Sequence, residues 1–192
     1  MPKLLYIAPR DFPRRVANRV QTIKMAEAFS RYAEVTLVIS KLHSTVDELW
    51  EYYNVKTPFN IKVIGEPIWG PQSVYSLIPS IIEILKIKPD ILYFREELIG
   101  WLISWFRRDY VYEMLDLLPR YQRYYPRLVR KSKRTIVISQ GLKNTAIEAG
   151  LNGEKLEIRP DAVDLNAFDI DLNRTDARSL LGLDQQSKLI VY

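Results

Sequence analysis

The sequence predicts an α/β protein built on a doubly wound (Rossmann-like) parallel sheet. Two observations carry that prediction. Short apolar runs alternate with segments of helical periodicity along most of the chain, which is how β-α units read in sequence. At least two of those runs, KLLYIA and RTIVIS, lack polar alternation, so they read as strands covered on both faces. The right-handed crossover rule then folds such units into one doubly wound sheet.

The elements follow in order. KLLYIA (3–8) is the first strand. ANRVQTIKMAEAFSRY carries Val20, Ile23, Met25, Ala26, Ala28 and Phe29 as an apolar stripe at helical spacing. EVTLVIS (34–40) is the second strand. STVDELWEYYN reads as a short helix with Ser44 as N-cap and Asp47 three residues on. IKVIGEP is the third strand, and QSVYSLIPSIIEILKIK a helix with an expected kink at Pro79. DILYFRE, DYVYEML, RTIVIS and KLEIRP give four more strands. Between them lie the helical ELIGWLISWFRR, then LPRYQRYYPRLVRK divided by Pro126, then QGLKNTAIEAG closed by Gly150. After Phe168 the polar DIDLNR reads as a linker, TDARSLLGL as a helix capped by Thr175, and SKLIVY as an apolar strand.

Composition narrows the chemistry. The 192 residues carry no cysteine and one histidine, His43. Disulfides, thiolate nucleophiles and cysteine or histidine metal sites are therefore not expected, and a reducing interior is. MPKLLYIAP has too short an apolar run for a signal peptide, and no stretch has the roughly 18 apolar residues of a membrane span. A cytoplasmic protein is the expectation. The net charge of +5 favours anionic partners: phosphates, anionic lipid or nucleic acid.

Four segments together resemble the N-terminal domain of GT-B glycosyltransferases, in particular the retaining family 4 (glycosyltransferase group 1). KLLYIAPRDFPRRVANRVQTIKMAEAFSRYAEVTLVIS is similar to the family's opening, DYVYEMLDLLP to its fifth-strand segment, RTIVISQGLKN to the segment after strand six, and IRPDAVDLNAF to its "PNGVD…F" hinge signature. The resemblance implies an acceptor-binding domain over residues 1–168, with 169–192 as linker and the first helix and strand of a C-terminal donor-binding domain. It implies an enzyme that moves a sugar from a nucleotide-sugar co-substrate to a glycan or lipid acceptor with retention, and needs no further cofactor or metal. The family's donor-binding Arg/Lys pair and Glu-x7-Glu element have no counterpart here, so the chain alone is expected to be inactive. Leu115 stands where the family often has histidine, and Ala162 where it has glycine.

Ligands of doubly wound sheets sit at the carboxyl ends of the strands. That rule points to the loops after Ala8, Ser40, Glu96, Asp116 and Ser139. In the first loop Arg10, Arg14, Arg15 and Arg19 are candidates for an acceptor or phosphate, against the alternative of a solvated basic loop. Asn18 is either the helix N-cap or a ligand contact. Of Glu113 and Asp116, three residues apart, one is expected to be structural, and Asp116 is the candidate to orient an acceptor hydroxyl. Arg95, Glu96, Glu97 and Ser139 join the acceptor set, with an Arg95 ion pair to Glu96 or Glu97 as the plain structural reading. Arg159, Asp161 and Asp164 mark the hinge side of the cleft. Arg120, Arg123, Arg127 and Arg130 recur at three- and four-residue steps and form one expected basic face, with Tyr121, Tyr124 and Tyr125 beside them. That face suits peripheral contact with an anionic membrane, or an exposed helix packing its tyrosines on the sheet; nucleic acid is the least expected partner. Trp69, Trp101 and Trp105 read as core or interface anchors. Two other functions stay open beside glycosyl transfer: a non-catalytic anion- or lipid-binding module or subunit completed by another polypeptide, and a nucleotide-sugar epimerase of the same fold.

Overall fold

The first strand shows why its sequence does not alternate. In β1 (Lys3–Ile7), Leu5 and Ile7 enter a core cluster on one side of the sheet, while Leu4 and Tyr6 enter a second cluster on the other. Both faces are dry, so every position after Lys3 is apolar or aromatic. Each fully buried aliphatic side chain stabilises the fold by about 1.5–3 kcal/mol.

The computed structural model describes residues 1–65, 72–163, 165 and 171–190. Trp69, Asp164 and the expected boundary at Phe168 lie outside them. Residues Met1–Asp161 form one compact unit and Ala162–Tyr192 a second.

The first unit is a seven-stranded, wholly parallel sheet in the order β5-β3-β1-β6-β7-β8-β9. Its strands are β1, β3 (Glu34–Ile39), β5 (Asn60–Val63), β6 (Ile91–Phe94), β7 (Tyr110–Met114), β8 (Arg134–Val137) and β9 (Leu156–Ile158). β2 (Asp11–Phe12) and β4 (Lys41–Leu42) make a separate two-stranded pair that the sequence did not suggest. Strand order reverses between β1 and β6. Helices α1 (Ala17–Ser30) and α2 (Val46–Tyr52) contribute Ile23 and Leu49 to one core. Helices α4 (Leu77–Ile87), α5 (Glu97–Ile103), α6 (Tyr125–Lys131) and α7 (Gln140–Glu148) contribute Ile84, Ile99, Leu128 and Ala146 to the other. A short α3 (Gln72–Tyr75) precedes α4. The doubly wound class expected from sequence holds. α5 can lie close to both sheet and α6 because Gly100 has no Cβ: one placed there would collide with the Phe94 ring and come 2.8 Å from Leu128 Cδ2.

Local signals were misplaced in several cases. The N-cap of α2 is Thr45, which closes a capping box with Glu48, rather than Ser44. The helix expected to kink at Pro79 is interrupted three residues before it. The chain breaks at Ser76, and Pro79 falls in the first turn of α4, where a missing N–H costs nothing. Pro126 likewise opens α6 instead of dividing a longer helix. In the second unit, α8 (Arg174–Leu180) is capped by Asn173, which accepts from Asp176 N at 2.9 Å, and not by Thr175. Ser187–Ile190, expected as strand, is irregular; among the described residues it has no neighbouring strand to pair with, and a lone strand is not stable.

Candidate functional site

Where the strand order reverses, the chain leaves β1 toward one sheet edge and β6 toward the other, and their loops part. A cleft of about 510 Å³ opens there, over the carboxyl ends of β1, β6 and β7. Of the residues singled out from sequence, it gathers Arg10, Asn18, Arg19, Arg95, Glu96, Glu97, Leu115, Asp116, Arg120 and Tyr121.

Arg10 follows the end of β1, where its N–H donates to Ala8 O at 2.7 Å and turns the chain. Its Nη2 lies 2.8 Å from Glu96 Oε1. Glu96 lies two residues past β6 and stands at the N-cap of α5 without capping it through its side chain. Burial pushes the Glu96 carboxyl above its ordinary value, and Arg10 offsets only part of that rise. Glu97, next in the chain, is also raised, by burial first and then by the neighbouring Glu96 charge. Tyr125 Oη lies 3.4 Å from Glu97 Oε1 and accepts from Leu118 N at 3.1 Å. Burial pushes the Tyr125 phenol up to about 12. It is therefore a neutral donor at neutral pH.

Asp116 sits beyond the end of β7, exposed, with Oδ1 accepting from Leu117 N at 2.7 Å. Glu113 is buried three residues earlier and is the structural member of the pair. It takes Arg95, which was expected on Glu96 or Glu97. Arg95 Nε is 2.7 Å from Glu113 Oε2 and Nη2 is 2.8 Å from Oε1. Tyr93 Oη donates to the same Oε2 at 2.6 Å. Arg95 thus forms the floor of the cleft with its fork already filled.

The arginines of the first loop do not act together. Asp11 holds Arg14 (Nε 2.5 Å from Oδ2) and Arg19 (Nη2 3.0 Å from Oδ1), with His43 Nε2 at 3.5 Å. Burial would raise the Asp11 carboxyl, but the Arg19 hydrogen bond and the Arg14 and Arg19 charges hold it below its ordinary value. Arg14 and Arg15 do not line the cleft. Asn18 is not the N-cap of α1. Val16 occupies that position without a side-chain cap, and Asn18, inside the first turn, reaches the cleft wall. Thr22, one turn further along the same helix face, joins it there. Helical spacing from Asn18 could have found Thr22; the Asp11 hub had no comparable signal.

Ser139 caps α7, its Oγ accepting from Leu142 N at 3.1 Å, away from the cleft lining. Arg159 pairs with Glu157, and Gln21 donates to Asp161. The four expected arginines do not share one face, because the α-helix begins only at Tyr125. Arg120, on a 3-10 turn (Pro119–Tyr121), lines the cleft. The Arg123 guanidinium lies 4.8 Å from the centre of the Tyr124 ring. Arg127 lies 3.5 Å over Trp105, with Nε donating to Ser104 Oγ at 2.9 Å. Among the described residues no group of three His, Asp or Glu side chains is placed to hold a metal ion.

No protein-family model and no curated protein sequence matches the chain. Solved structures do. It is similar to Alr3699/HepE of Anabaena in complex with UDP and glucose (TM-score 0.66, 17% identity, 95% of this chain and 50% of that one). It is similar to a glycosyltransferase from Rickettsia africae (TM-score 0.65, 14% identity, 95% and 50%). It is also similar to the UDP-GlcNAc 2-epimerase of Methanocaldococcus jannaschii (TM-score 0.57, 16% identity, 81% and 45%). At these identities the likeness establishes the fold. The chain spans about half the length of the structures it matches.

Proposed function

We propose that the cleft is the acceptor-side wall of a site for glycosyl transfer from a nucleotide sugar. The observation that carries the reading is the convergence of Asp116, Glu96, Arg10 and Asn18 at the reversal of strand order, where doubly wound sheets bind ligands. A glycosyltransferase among the structures of like fold, and another of those structures solved with UDP and glucose, support it. In this reading Asp116 accepts a hydrogen bond from the acceptor hydroxyl and aims its oxygen at the anomeric carbon. The new bond forms from that oxygen as the hydroxyl proton passes to the Asp116 carboxylate, and the bond to the donor's diphosphate breaks with its electron pair leaving on the phosphate. Arg10 and Arg120 add positive potential for the departing charge. The main donor contacts belong to a second domain, so the 192-residue chain alone turns over no nucleotide sugar. The retaining course, implied by the family resemblance, is part of the same proposal.

The test is sugar transfer by the intact two-domain protein, screened with uridine, guanosine and adenosine diphosphate sugars. Asp116→Asn is expected to lower kcat by about 100-fold with the fold retained. An unchanged kcat removes Asp116 from the reaction, and turnover by the 192-residue chain alone overturns the division of labour. One observation favours a second reading, nucleotide-sugar epimerisation: Glu96 and Glu97 are adjacent carboxyls lining the cleft, both raised above their ordinary value by burial, which suits groups that exchange protons with a substrate. Epimerised nucleotide sugar formed without any acceptor would select it.

A further inference from the structure

Away from the cleft, the helix layer α4–α6 leaves large apolar side chains in solvent. Val74 of α3 and Ile78, Ile82 and Leu85 of α4 are exposed, Ile78 to 70% and Leu85 to 63%. Steps of four and three residues put Ile78, Ile82 and Leu85 on one face of the helix. α5 packs beside α4, and the chain leaving it carries Trp105 and Phe106, 60% and 54% exposed. α6 packs beside α5 in turn, and its Arg127 lies against the Trp105 ring.

Cations border this apolar strip. Arg108, Arg130, Lys131, Lys133 and Lys155 line one depression of about 440 Å³. It lies at the amino ends of β7, β8 and β9, since Asp109, Lys133 and Lys155 directly precede those strands. The cleft is at the opposite end of the sheet. Asp109, the one carboxylate lining the depression, is occupied by Arg107, with Nε 2.5 Å from Oδ1. Among the described residues Arg108, Arg130 and Lys131 have no carboxylate at ion-pair distance, and Lys133 acts on Asp109 only from beyond that distance. Repulsion from Arg108, followed by slight burial and Arg130, holds the Lys131 ammonium below its ordinary value.

The α6 macrodipole explains a cation or two in its last turn. It explains neither five converging cations nor the aliphatic stripe beside them. Exposed apolar area rimmed by uncompensated positive charge marks an interaction surface, and the charge selects the occupant. A second copy of this chain would set cation cluster against cation cluster. Nucleic acid would gain nothing from isoleucine and leucine.

We propose that the outer face of α4–α6 is a peripheral docking surface for an anionic lipid bilayer. Ile78, Ile82, Leu85, Trp105 and Phe106 enter the interface, and Arg108, Arg130, Lys131 and Lys133 pair with lipid phosphates. The attachment is peripheral, since among the described residues no helix is long and apolar enough to cross a membrane. Of the arginines the sequence assigned to a membrane face, Arg127 and Arg130 belong to this surface, while Arg120 belongs to the cleft. The proposal stands independently of glycosyl transfer.

Co-sedimentation of the 192-residue chain with vesicles tests it, comparing phosphatidylcholine alone with a mixture containing phosphatidylglycerol. Binding is expected to be about 10-fold or more stronger on the anionic vesicles and to fall as salt rises from about 50 to about 500 mM. Tryptophan emission should shift to the blue on binding. The pair Arg130→Glu with Lys131→Glu and the pair Ile78→Ser with Ile82→Ser should each weaken binding about 10-fold while far-UV circular dichroism stays unchanged. The two pairs sit on different helices, so misfolding of one leaves the other as a test. Equal binding to neutral and anionic vesicles, or folded variants that bind as well as the parent, overturns the proposal. So does a dimer broken by the isoleucine pair without any vesicle binding, or an oligonucleotide that outcompetes the vesicles.

Discussion

Arg95 and Glu113 meet fork to fork beneath the cleft, with Nε–Oε2 at 2.7 Å and Nη2–Oε1 at 2.8 Å, and their side chains are 7% and 3% exposed. The pair bridges β6 and β7 and is tied to α1 through Thr22 Oγ1 at 3.4 Å from Arg95 Nη1. Breaking a buried pair strands the remaining charge. Glu113→Gln or Arg95→Met should therefore each destabilise the fold by about 3–5 kcal/mol. The double variant should cost less than the sum. Urea denaturation of all four proteins measures the coupling, and strict additivity would remove it.

Gly100→Ala tests the packing of α5. A methyl there must displace the Phe94 ring and Leu128, and overpacking costs about 1–3 kcal/mol. The thermal midpoint should fall by several degrees. Gly141→Ala is the control, since its nearest neighbour, Ser139 Oγ, is 3.8 Å away.

Glu27 fastens α1 to the loop before β5. It accepts from Lys24 Nζ at 2.9 Å, Lys56 N at 2.5 Å and Thr57 N at 3.1 Å. Burial would raise its carboxyl, but these donors outweigh burial and hold it below the ordinary value of 4.5. A depressed carboxyl stabilises the fold fully above its unfolded value, and the contribution vanishes as pH falls through the folded value. Stability should drop with acidification below about pH 5. Glu27→Gln should be less stable by about 1–2 kcal/mol at pH 7, with a shallower acid slope in denaturant titrations from pH 7 to 3.

Glu96 has the opposite sign. Its folded value is raised, so its ionisation costs stability, and that cost is relieved as pH falls through the raised value. Protonation also releases Arg10. Pyrophosphate, used as a probe of the cleft in calorimetry, should bind more tightly as pH falls toward the ordinary carboxyl range. Glu96→Gln should bind it several-fold more tightly at pH 7.5 and lose the pH dependence. A variant that keeps the dependence would assign it to another group.

The position of Asp116 at the cleft and of Glu113 in the core was legible in the sequence, because Asp116 follows an apolar strand run and strand alternation separates the two. The partner of Arg95 was not recognisable: Glu113 is eighteen residues away, and only the β6–β7 register brings the two side chains together. The expected row of four arginines failed for a local reason. Pro119 begins a 3-10 turn and Pro126 stands second in a separate helix that starts at Tyr125, so the spacing crosses two elements and no single face exists. The Ser44 cap failed because Thr45 shares its chemistry and alone stands three residues before Glu48.

The sequence by itself determined the class of fold, because strands buried on both faces cannot carry polar alternation and every crossover between parallel strands has one hand. It also determined which loops crown the sheet, since these follow from strand order along the chain. Tertiary structure decided which charges remain available. Asp11 gathers Arg14 and Arg19, Glu113 occupies Arg95, and Glu96 takes Arg10, while Arg108, Arg130 and Lys131 converge around an Asp109 already held by Arg107, with no ion-pair partner of their own among the described residues. Charge pairing depends on distances of a few ångströms between residues far apart in the chain, and linear spacing does not contain those distances.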